Sequence, residues 1–340
     1  MIDRKPDNSR LPTLADVASR VGVSTATVSR CLNEPDRVIG ATRERVMAAV
    51  RELGYSPNFG ARALAARRTN TVGAVIPTME NAIFARGLQA FQEELGENGI
   101  TLLVASSSYR ADLEEEQIRT LAARGADGML LIGYDRDPAI YSFLKRQGIP
   151  VVIAWAHDPR AGVASVGFDN YRAMKALAHA VISRGHSSLG IVSARQAGND
   201  RARERVRGIV DAAAQAGLGS DRVHIVETSY GIDEGAQAFE ALMSRENRPS
   251  AVMCGNDVLA VGAIGRAREL GLDVPLDVSV TGFDDMELAK LSFPPLTTIH
   301  VPHRRMGQEA ARLLMSTAKT GSENSNILLE TEIRLRGSLA

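Results

Sequence analysis

The chain has little cysteine and no long apolar segment. Only Cys31 and Cys254 occur among its 340 residues, far apart and each inside an apolar pattern, so we expect two small buried side chains and neither a disulfide framework nor a cysteine metal cluster. No run of about 18 apolar residues is present to cross a bilayer. The first twelve residues carry charges of both signs and no apolar secretory stretch, which predicts a cytoplasmic protein.

The sequence also lacks the short motifs of common enzyme classes. There is no G-x-G-x-x-G after the first predicted strand, no G-x-x-x-x-G-K-[ST] and no G-x-S-x-G. The six histidines have no spacing typical of a metal site. We therefore expect no enzyme activity, no cofactor and no metal.

A net charge of zero hides an uneven distribution of charge. The first 70 residues hold twelve basic and seven acidic side chains, so the rest of the chain is acidic by the same margin. A chain average can conceal a basic segment of this kind, which suits a nucleic-acid partner.

Residues 13–54 show helical periodicity and divide into three short helices. Thr13 is an N-cap candidate with Asp16 in the capping-box position, and Gly22 ends the first helix. Ser24 is the N-cap candidate of the second helix. The third helix ends at Gly54.

The second helix has a polar outward face made of short side chains. At 100° per residue, this face lies opposite an apolar arc and consists of Thr25, Ala26, Ser29, Arg30 and Asn33. Hydroxyl, amide and guanidinium groups suit base edges and phosphates, so the pattern predicts a helix-turn-helix with this helix as the reader. The alternative is the solvated face of a small helical domain; the basic charge and the linker that follows favour DNA.

From residue 71 onward, short apolar runs alternate with helical stretches. Continuous apolar strands are typical of parallel sheets covered on both faces, and this stretch is long enough for two α/β lobes. A ligand is then expected between the lobes, at the carboxyl ends of the strands. The runs are 71–77, 101–106, 128–133, 150–155, 189–194, 223–227, 251–256 and 278–284.

Three segments, "TLADVASRVGVSTATVSRCLN", "TRERVMAAVRELGYSPN" and "ARALAARRTNTVGAVIP", follow one another along the first part of the chain. Their order and spacing resemble the LacI/GalR family of bacterial transcription regulators, and the resemblance extends over essentially the whole chain. It implies a multi-domain protein. An all-α helix-turn-helix DNA-binding head is expected over 11–56, and a hinge helix and linker over 57–70. A periplasmic-binding-protein-like α/β domain with two parallel-sheet lobes is expected over 71–340, for effector binding and dimerisation.

The resemblance also implies where DNA is contacted. In the family, the first two positions of the reader helix and the arginine five later contact bases, here Thr25, Ala26 and Arg30, and Ala26 can offer only an apolar contact. Leu64 stands where relatives wedge a leucine into the minor groove; a linker with an incidental leucine is the alternative. The other DNA-binding candidates are Thr13, Ser24, Thr27, Ser29, Asn33, Tyr55, Asn58 and Arg62.

The later motifs "NAIF", "RVRG", "CGND" and "GFDD" match landmarks of the family's effector domain. The resemblance nominates aromatic side chains to stack on a ring, an arginine to grip hydroxyls or a carboxylate, and amide and carboxyl groups to bind polar atoms. The effector-binding candidates are Phe84, Asp169, Asn199, Arg205, Tyr230, Asn256 and Asp284.

Several of these candidates have a structural alternative. Phe84 could be plain core, Arg205 could pair with Asp284, and Asp257 could cap the helix that follows it. Arg201 and Arg205 are four residues apart and would share one helical face, which suits an anion such as a sugar acid or sugar phosphate.

Together these features predict a sequence-specific transcriptional regulator, a repressor, whose affinity for a pseudo-palindromic operator is controlled by a small metabolite, a sugar or sugar derivative. Each reader helix covers one half-site, so we expect a homodimer associated with the nucleoid. Ligand binding would change the angle between the lobes and hence the affinity for DNA. The alternative is a soluble solute-binding protein for a sugar-like ligand, against which the basic helical head argues.

Overall fold

The computed structural model describes residues 11–56, 68–80, 82–320 and 325–340, and the chain divides into two compact units, Met1–Thr69 and Asn70–Ala340. The first unit is helical and the second is α/β with parallel sheets. This confirms the expected fold class. No helix in the described ranges is long and apolar enough to span a membrane.

The described part of the first unit contains helices α1 (Leu14–Val21), α2 (Thr25–Asn33) and α3 (Gly40–Leu53). Thr13 and Asp16 form the expected capping box, in which Thr13 N donates to Asp16 Oδ2 at 2.7 Å and Asp16 N donates to Thr13 Oγ1 at 3.3 Å. Gly22 ends α1 at φ 73°, in the left-handed region. The small core consists of Val17, Ala18, Val21, Val28, Cys31, Val46 and Ala49.

The first lobe of the larger unit is a parallel sheet with helices packed on it. Its strands are β1 (Thr71–Ile76), β2 (Thr101–Ser106), β3 (Met129–Ile132), β4 (Val151–Ala154), β5 (Ser165–Gly167) and β11 (Asn326–Leu328). Its helices are α4 (Ala82–Glu97), α5 (Ala111–Ala123), α6 (Pro138–Arg146) and α12 (His303–Thr320). The strand order is β11-β5-β4-β3-β1-β2.

The second lobe has a smaller parallel sheet. Its strands are β6 (Leu189–Ala194), β7 (Val223–Thr228), β8 (Ala251–Cys254) and β9 (Ser279–Thr281), in the order β7-β6-β8-β9. Its helices are α7 (Asn170–Ile182), α8 (Asp200–Gln215), α9 (Ile232–Met243), α10 (Asp257–Glu269) and the short α11 (Glu287–Leu291).

The chain crosses between the lobes after β5, before α12, and again after β11. Two short strands on these crossings, β10 (Thr298–His300) and β12 (Glu332–Arg334), pair antiparallel. Because both sheets are parallel, the carboxyl ends of their strands and the loops that follow can face one another between the lobes.

All eight apolar runs of the sequence contain a strand of these two sheets. Strands β5, β10, β11 and β12 were not predicted, because none of these short strands lies in a longer apolar run, unlike the equally short β9. The expectation of complete burial is wrong for β2 and β7, which are only partly buried because each lies at the edge of its sheet.

Close packing of α4 against α12 positions an aromatic ring near the strand ends. A Cβ at Gly307 would meet the backbone of Gly87, so the two helices can approach this closely only with glycine there. A Cβ at Gly87 would lie 2.5 Å from the ring of Trp155. The helix pair therefore sets where the Trp155 ring lies at the end of β4.

Candidate functional site

The outward face of α2 carries the polar side chains expected to contact DNA. Thr25, Ala26, Arg30 and Asn33 are exposed, whereas Ser29 is half-buried and accepts a hydrogen bond from Asn33 Nδ2 at 3.2 Å. The opposite face of α2 packs into the core of the head. Arg30 forms no ion pair within the described residues, so its guanidinium is available to a partner.

Ser24 and Thr27 hold the first turn of α2 together. Ser24 Oγ accepts from the backbone N of Thr27 at 3.1 Å and lies 2.9 Å from Thr27 Oγ1. Thr13 has the same capping role in α1, and Tyr55 is half-buried against the core of the head. The remaining DNA-binding candidates lie outside the described residues and stay predictions: Asn58, Arg62 and Leu64.

The larger unit contains buried polar atoms that have no hydrogen-bond partner. Asp284 Oδ1 lies 3.7 Å from His303 Nε2, and the ring of His303 lies 6.2 Å from that of Trp155. A buried polar atom without a partner costs about 1–3 kcal/mol, which favours a site where a ligand supplies the partner. These atoms include Trp155 Nε1, Asn256 Nδ2, both carboxyl oxygens of Asp284 and both ring nitrogens of His303. Together with Arg205, these residues define what we call the effector cleft.

Arg205 is buried and is held in place by other groups of the protein. Its Nε donates to Asn170 Oδ1 at 2.8 Å, its Nη1 donates to the carbonyl of Gly255 at 2.6 Å, and the guanidinium lies 3.9 Å from the centre of the Phe283 ring. The alternative that it pairs with Asp284 is wrong, since no ion pair joins the two side chains. Nη2 is therefore the nitrogen that remains for a ligand.

Phe84 and Trp155 form the aromatic floor of the effector cleft. Their ring centroids are 5.3 Å apart, and both rings are almost fully buried. Asn170, which the sequence did not single out, donates from Nδ2 to the carbonyl of Trp155 at 3.0 Å and so links this floor to Arg205. Phe84 also belongs to the hydrophobic core. It is therefore both a core residue, as the alternative had it, and a neighbour of the effector cleft.

Two effector candidates have their side chains engaged as helix caps. Asp169 accepts from the backbone N of Arg172 at 2.9 Å at the start of α7, and Asn199 accepts from the backbone N of Ala202 at 3.3 Å at the start of α8. These bonds account for the two side chains without a ligand, and their assignment to the effector stays a prediction.

The expectation that Asp257 caps α10 is wrong. Asn256 is the cap, and its Oδ1 accepts from the backbone N of Leu259 at 3.0 Å. Asp257 is buried and accepts instead from Thr298 Oγ1 at 2.5 Å and from the backbone N of Met286 at 2.6 Å. It therefore ties α10 to one of the crossings between the lobes.

Asp200 and Arg201 link α8 of the second lobe to the end of β3 in the first. Asp200 Oδ2 accepts from the backbone N of Tyr134 at 2.7 Å, and Arg201 Nη1 donates to the carbonyl of Ile132 at 3.1 Å and to Asp200 Oδ1 at 2.9 Å. We call these contacts the lobe latch. Arg201 is thus paired with its neighbour Asp200, and the hypothesis that it acts with Arg205 on an anion stays a prediction.

Tyr230 lies against a second tyrosine that the sequence analysis missed. The ring centroids of Tyr109 and Tyr230 are 5.6 Å apart. Tyr109 follows β2 of the first lobe and Tyr230 follows β7 of the second. No local pattern marked Tyr109, and only its position after a predicted strand could have drawn attention to it.

Burial controls the protonation of the acidic and basic groups of this region. It raises the pKa of Asp284 to about 6, although nearby Arg205 acts in the opposite direction. It lowers the pKa of His303 to about 3, with Arg86 acting in the same sense, and raises the pKa of Asp257 to about 8. Near pH 7, Asp284 is therefore charged and His303 is neutral. Arg205, in the same region, keeps Nη2 for a ligand.

Comparison with known proteins identifies both units. Residues 13–58 match the model of bacterial regulatory proteins of the lacI family, and residues 69–335 match the model of periplasmic binding proteins and the sugar binding domain of the LacI family. The described residues include no cluster of His, Cys, Asp or Glu that could hold a metal ion. The two units together define a DNA-binding regulator with a ligand-binding domain.

Relatives and solved structures agree with this class. The HTH-type transcriptional repressor PurR of Vibrio atlanticus (strain LGP32) is 34% identical over 318 residues, covering 91% of this chain and 92% of the relative. A LacI-family regulator from Silicibacter pomeroyi superposes with a TM-score of 0.87 at 28% identity, over 96% of this chain and 99% of that one. The complex of the regulator CelR with cellobiose superposes with a TM-score of 0.71 at 31% identity, over 96% and 99%.

The chain belongs to the LacI family of bacterial regulatory proteins. It is a DNA-binding transcriptional regulator whose affinity for its operator responds to a small metabolite, and its relatives are repressors rather than enzymes. The matched helix-turn-helix head sets aside the alternative of a solute-binding protein.

Proposed function

We propose that this protein is a homodimeric repressor of a pseudo-palindromic operator and that a neutral sugar or sugar-like effector controls its occupancy. The observation that carries the DNA assignment is the exposed polar face of α2 on a firmly capped helix. In each subunit α2 would lie in the major groove, with Thr25 and Arg30 at base edges and Ala26 against a thymine methyl. The protein would act in the cytoplasm, on the nucleoid.

Two copies are needed because one α2 covers only one half-site. Leu64, with Asn58 and Arg62, would contact the minor groove between the half-sites. Large apolar side chains exposed on the second lobe support self-association: Leu276, Leu291 and Phe293, with exposed fractions of 83%, 80% and 78%.

The effector cleft offers a mixture of hydrogen-bonding groups that suits hydroxyls. Asp284 supplies two acceptors, Trp155 and Asn256 each supply a donor, and neutral His303 can supply one of each. Each ring hydroxyl of a sugar both donates and accepts. Because the charge of Asp284 offsets that of Arg205 and Arg201 is engaged in the lobe latch, the balance of charge favours a neutral ligand over a sugar acid or phosphate.

Selection of the full-length protein on random duplexes tests the DNA assignment, and the expected product is a two-fold-symmetric sequence. Arg30→Ala should then weaken binding by about 10- to 100-fold at fixed salt, since a lost base contact costs about 1–3 kcal/mol. Arg160→Ala, which removes an exposed arginine of the larger unit, is the matched control. Unchanged affinity in Arg30→Ala, or no symmetric product, would contradict the assignment.

Calorimetric titration with neutral sugars, sugar acids and sugar phosphates tests the effector assignment. Binding of a neutral sugar should be lost in Asp284→Asn and kept in the control Asp221→Asn, whose carboxyl is exposed. Binding of the acids or phosphates alone would overturn the neutral class.

A further inference from the structure

The contact between Tyr109 and Tyr230 joins the two lobes at one particular edge. The two rings meet at an interplanar angle of 42°. Tyr109 follows β2 and Tyr230 follows β7, and each of these strands is the outermost strand of its sheet. The pair therefore bridges the two sheets at their β2 and β7 edges.

The crossings between the lobes lie at the opposite edges of the same sheets. In the first sheet, the strands next to the crossings are β5 and β11, at the far end from β2. In the second sheet, β9 and the loop after it are bridged to the crossing through Thr281 with Thr297 and Asp284 with His300. A rotation about the crossings therefore displaces the β2 and β7 edges most, so the tyrosine pair lies at the mouth of the cleft.

Tyr109 is held at this place by an unusual backbone. Ser108 and Tyr109 have φ values of 51° and 59°, in the left-handed region that side chains other than glycine seldom adopt. Such strain persists where the surrounding structure maintains it, and it is frequent at ligand sites.

The phenol of Tyr109 lies within electrostatic range of Arg205 and Asp284 of the effector cleft. The residue as a whole is 37% exposed, and its hydroxyl has no hydrogen-bond partner within the described residues. The charges that act on it are those of Arg201, Arg205 and Asp284. Burial and the neighbouring Tyr230 raise the pKa of its phenol, so the hydroxyl keeps its proton and can donate to a ligand.

We propose that Tyr109 and Tyr230 form a gate at the mouth of the effector cleft and that Tyr109 is a specificity-determining residue. When the lobes close, the two rings meet and cover the ligand. The gate selects a small ring compound with an apolar face that lies beneath the two rings, and a substituent projecting past them holds the gate open. The inference deepens the proposed effector site, but it depends neither on DNA binding nor on which sugar is bound.

Acrylamide quenching of Trp155 fluorescence tests the gate in the full-length protein. Trp155 is the single tryptophan of the chain, and it is buried on the floor of the cleft. Acrylamide is a small neutral probe that must reach this ring. Loss of an aromatic pair should shift the balance between open and closed gates by about two- to tenfold, and the quenching constant should rise by up to that factor.

Tyr109→Ala and Tyr230→Ala should each raise the quenching constant, and the double variant should raise it no further than the larger single effect. Tyr109→Phe keeps the ring and should stay near the original value. Leu270→Ala removes an exposed apolar side chain at the end of α10 and is the control. Circular dichroism identifies any variant that has unfolded, in which case the other single variant decides.

Equal quenching in the original protein and in a folded alanine variant would overturn the gate. Additive effects of the two alanine substitutions would also overturn it, because a contact between two rings can be lost only once. The measurement uses neither operator nor effector, so its failure leaves the repressor function standing. Conversely, a failed operator selection leaves the gate standing.

Discussion

Asp284 Oδ1 and His303 Nε2 lie 3.7 Å apart, too far for a hydrogen bond, and the polar side-chain atoms of both residues have no hydrogen-bond partner within the described ranges. Burial shifts the pKa values of the two groups in opposite directions. It raises the pKa of the carboxyl to about 6 and lowers the pKa of the imidazole to about 3. The two are never charged together: both are neutral between these values, and Asp284 alone is charged above them. Their spacing leaves the hydrogen-bonding atoms of both available to a ligand at neutral pH.

The buried carboxyl of Asp284 should cost stability at neutral pH. Its pKa is higher in the folded chain, about 6, than the ordinary 3.8, so the folded state binds more protons between these values and stability falls as pH rises across this window. Asp284→Asn should therefore stabilise the larger unit by about 1–3 kcal/mol at pH 8. The gain should shrink towards pH 4, where the folded carboxyl is protonated and the unfolded one is losing its charge as well.

Urea unfolding followed by Trp155 fluorescence at pH 8 and pH 4.5 measures this gain. The exposed Asp221→Asn serves as the control. A gain that is equal at both pH values would show that the charge of Asp284 is not the cause.

The buried neutral imidazole of His303 should make the folded protein lose stability as the pH falls, whereas the carboxyl of Asp284 makes it lose stability as the pH rises. Its pKa falls on folding, from 6.5 to about 3, so the unfolded state binds more protons between these values and stability is lost as pH falls through them. His303→Gln removes this proton uptake. The variant should lose less stability than the original protein between pH 6.5 and pH 4.5 in the same urea experiment, and a parallel loss in both proteins would contradict the buried neutral imidazole.

Gly133 should be intolerant of a side chain because of the lobe latch. Its φ is 69°, and a Cβ there would overlap Arg201 Nη1 and Asp200 Oδ1. Gly99 has the same φ with open space around it, so both alanine variants pay the backbone strain of about 1 kcal/mol. Gly133→Ala should lose about 1–3 kcal/mol more, because it also breaks buried hydrogen bonds. Urea unfolding of the two variants gives the difference directly, and equal losses would argue against the latch.

The N-cap that Ser24 supplies to α2 should stabilise the head. Ser24→Ala removes the acceptor for Thr27 N and should destabilise the head by about 1 kcal/mol. Ser24→Asp supplies another good cap and should restore that stability, while its negative charge weakens operator binding. Thermal unfolding followed by helical circular dichroism, alongside operator titration, separates the two effects. Loss of operator affinity in Ser24→Ala without loss of stability would instead make the hydroxyl a direct DNA contact.

The local features were predictable because each depends on residues within a few positions of one another. The capping box of Thr13 and Asp16 and the stop at Gly22 join residues within one helix. Eight strands were predicted from continuous apolar runs, and four three-residue strands outside such runs were missed. The expectation for Asp257 failed because Asn256, one residue earlier, took the cap.

The helical head, the alternation of strands and helices, and the family all follow from the amino-acid sequence, since periodicity and motif order are properties of the chain. Which buried groups find partners depends on the folded arrangement of the lobes. Arg201 meets the carbonyl of Ile132, 69 residues away, and Tyr109 meets Tyr230 from the other lobe. Such partners depend on how two separately built sheets face one another, and that geometry comes from packing between elements far apart in the chain rather than from any local pattern.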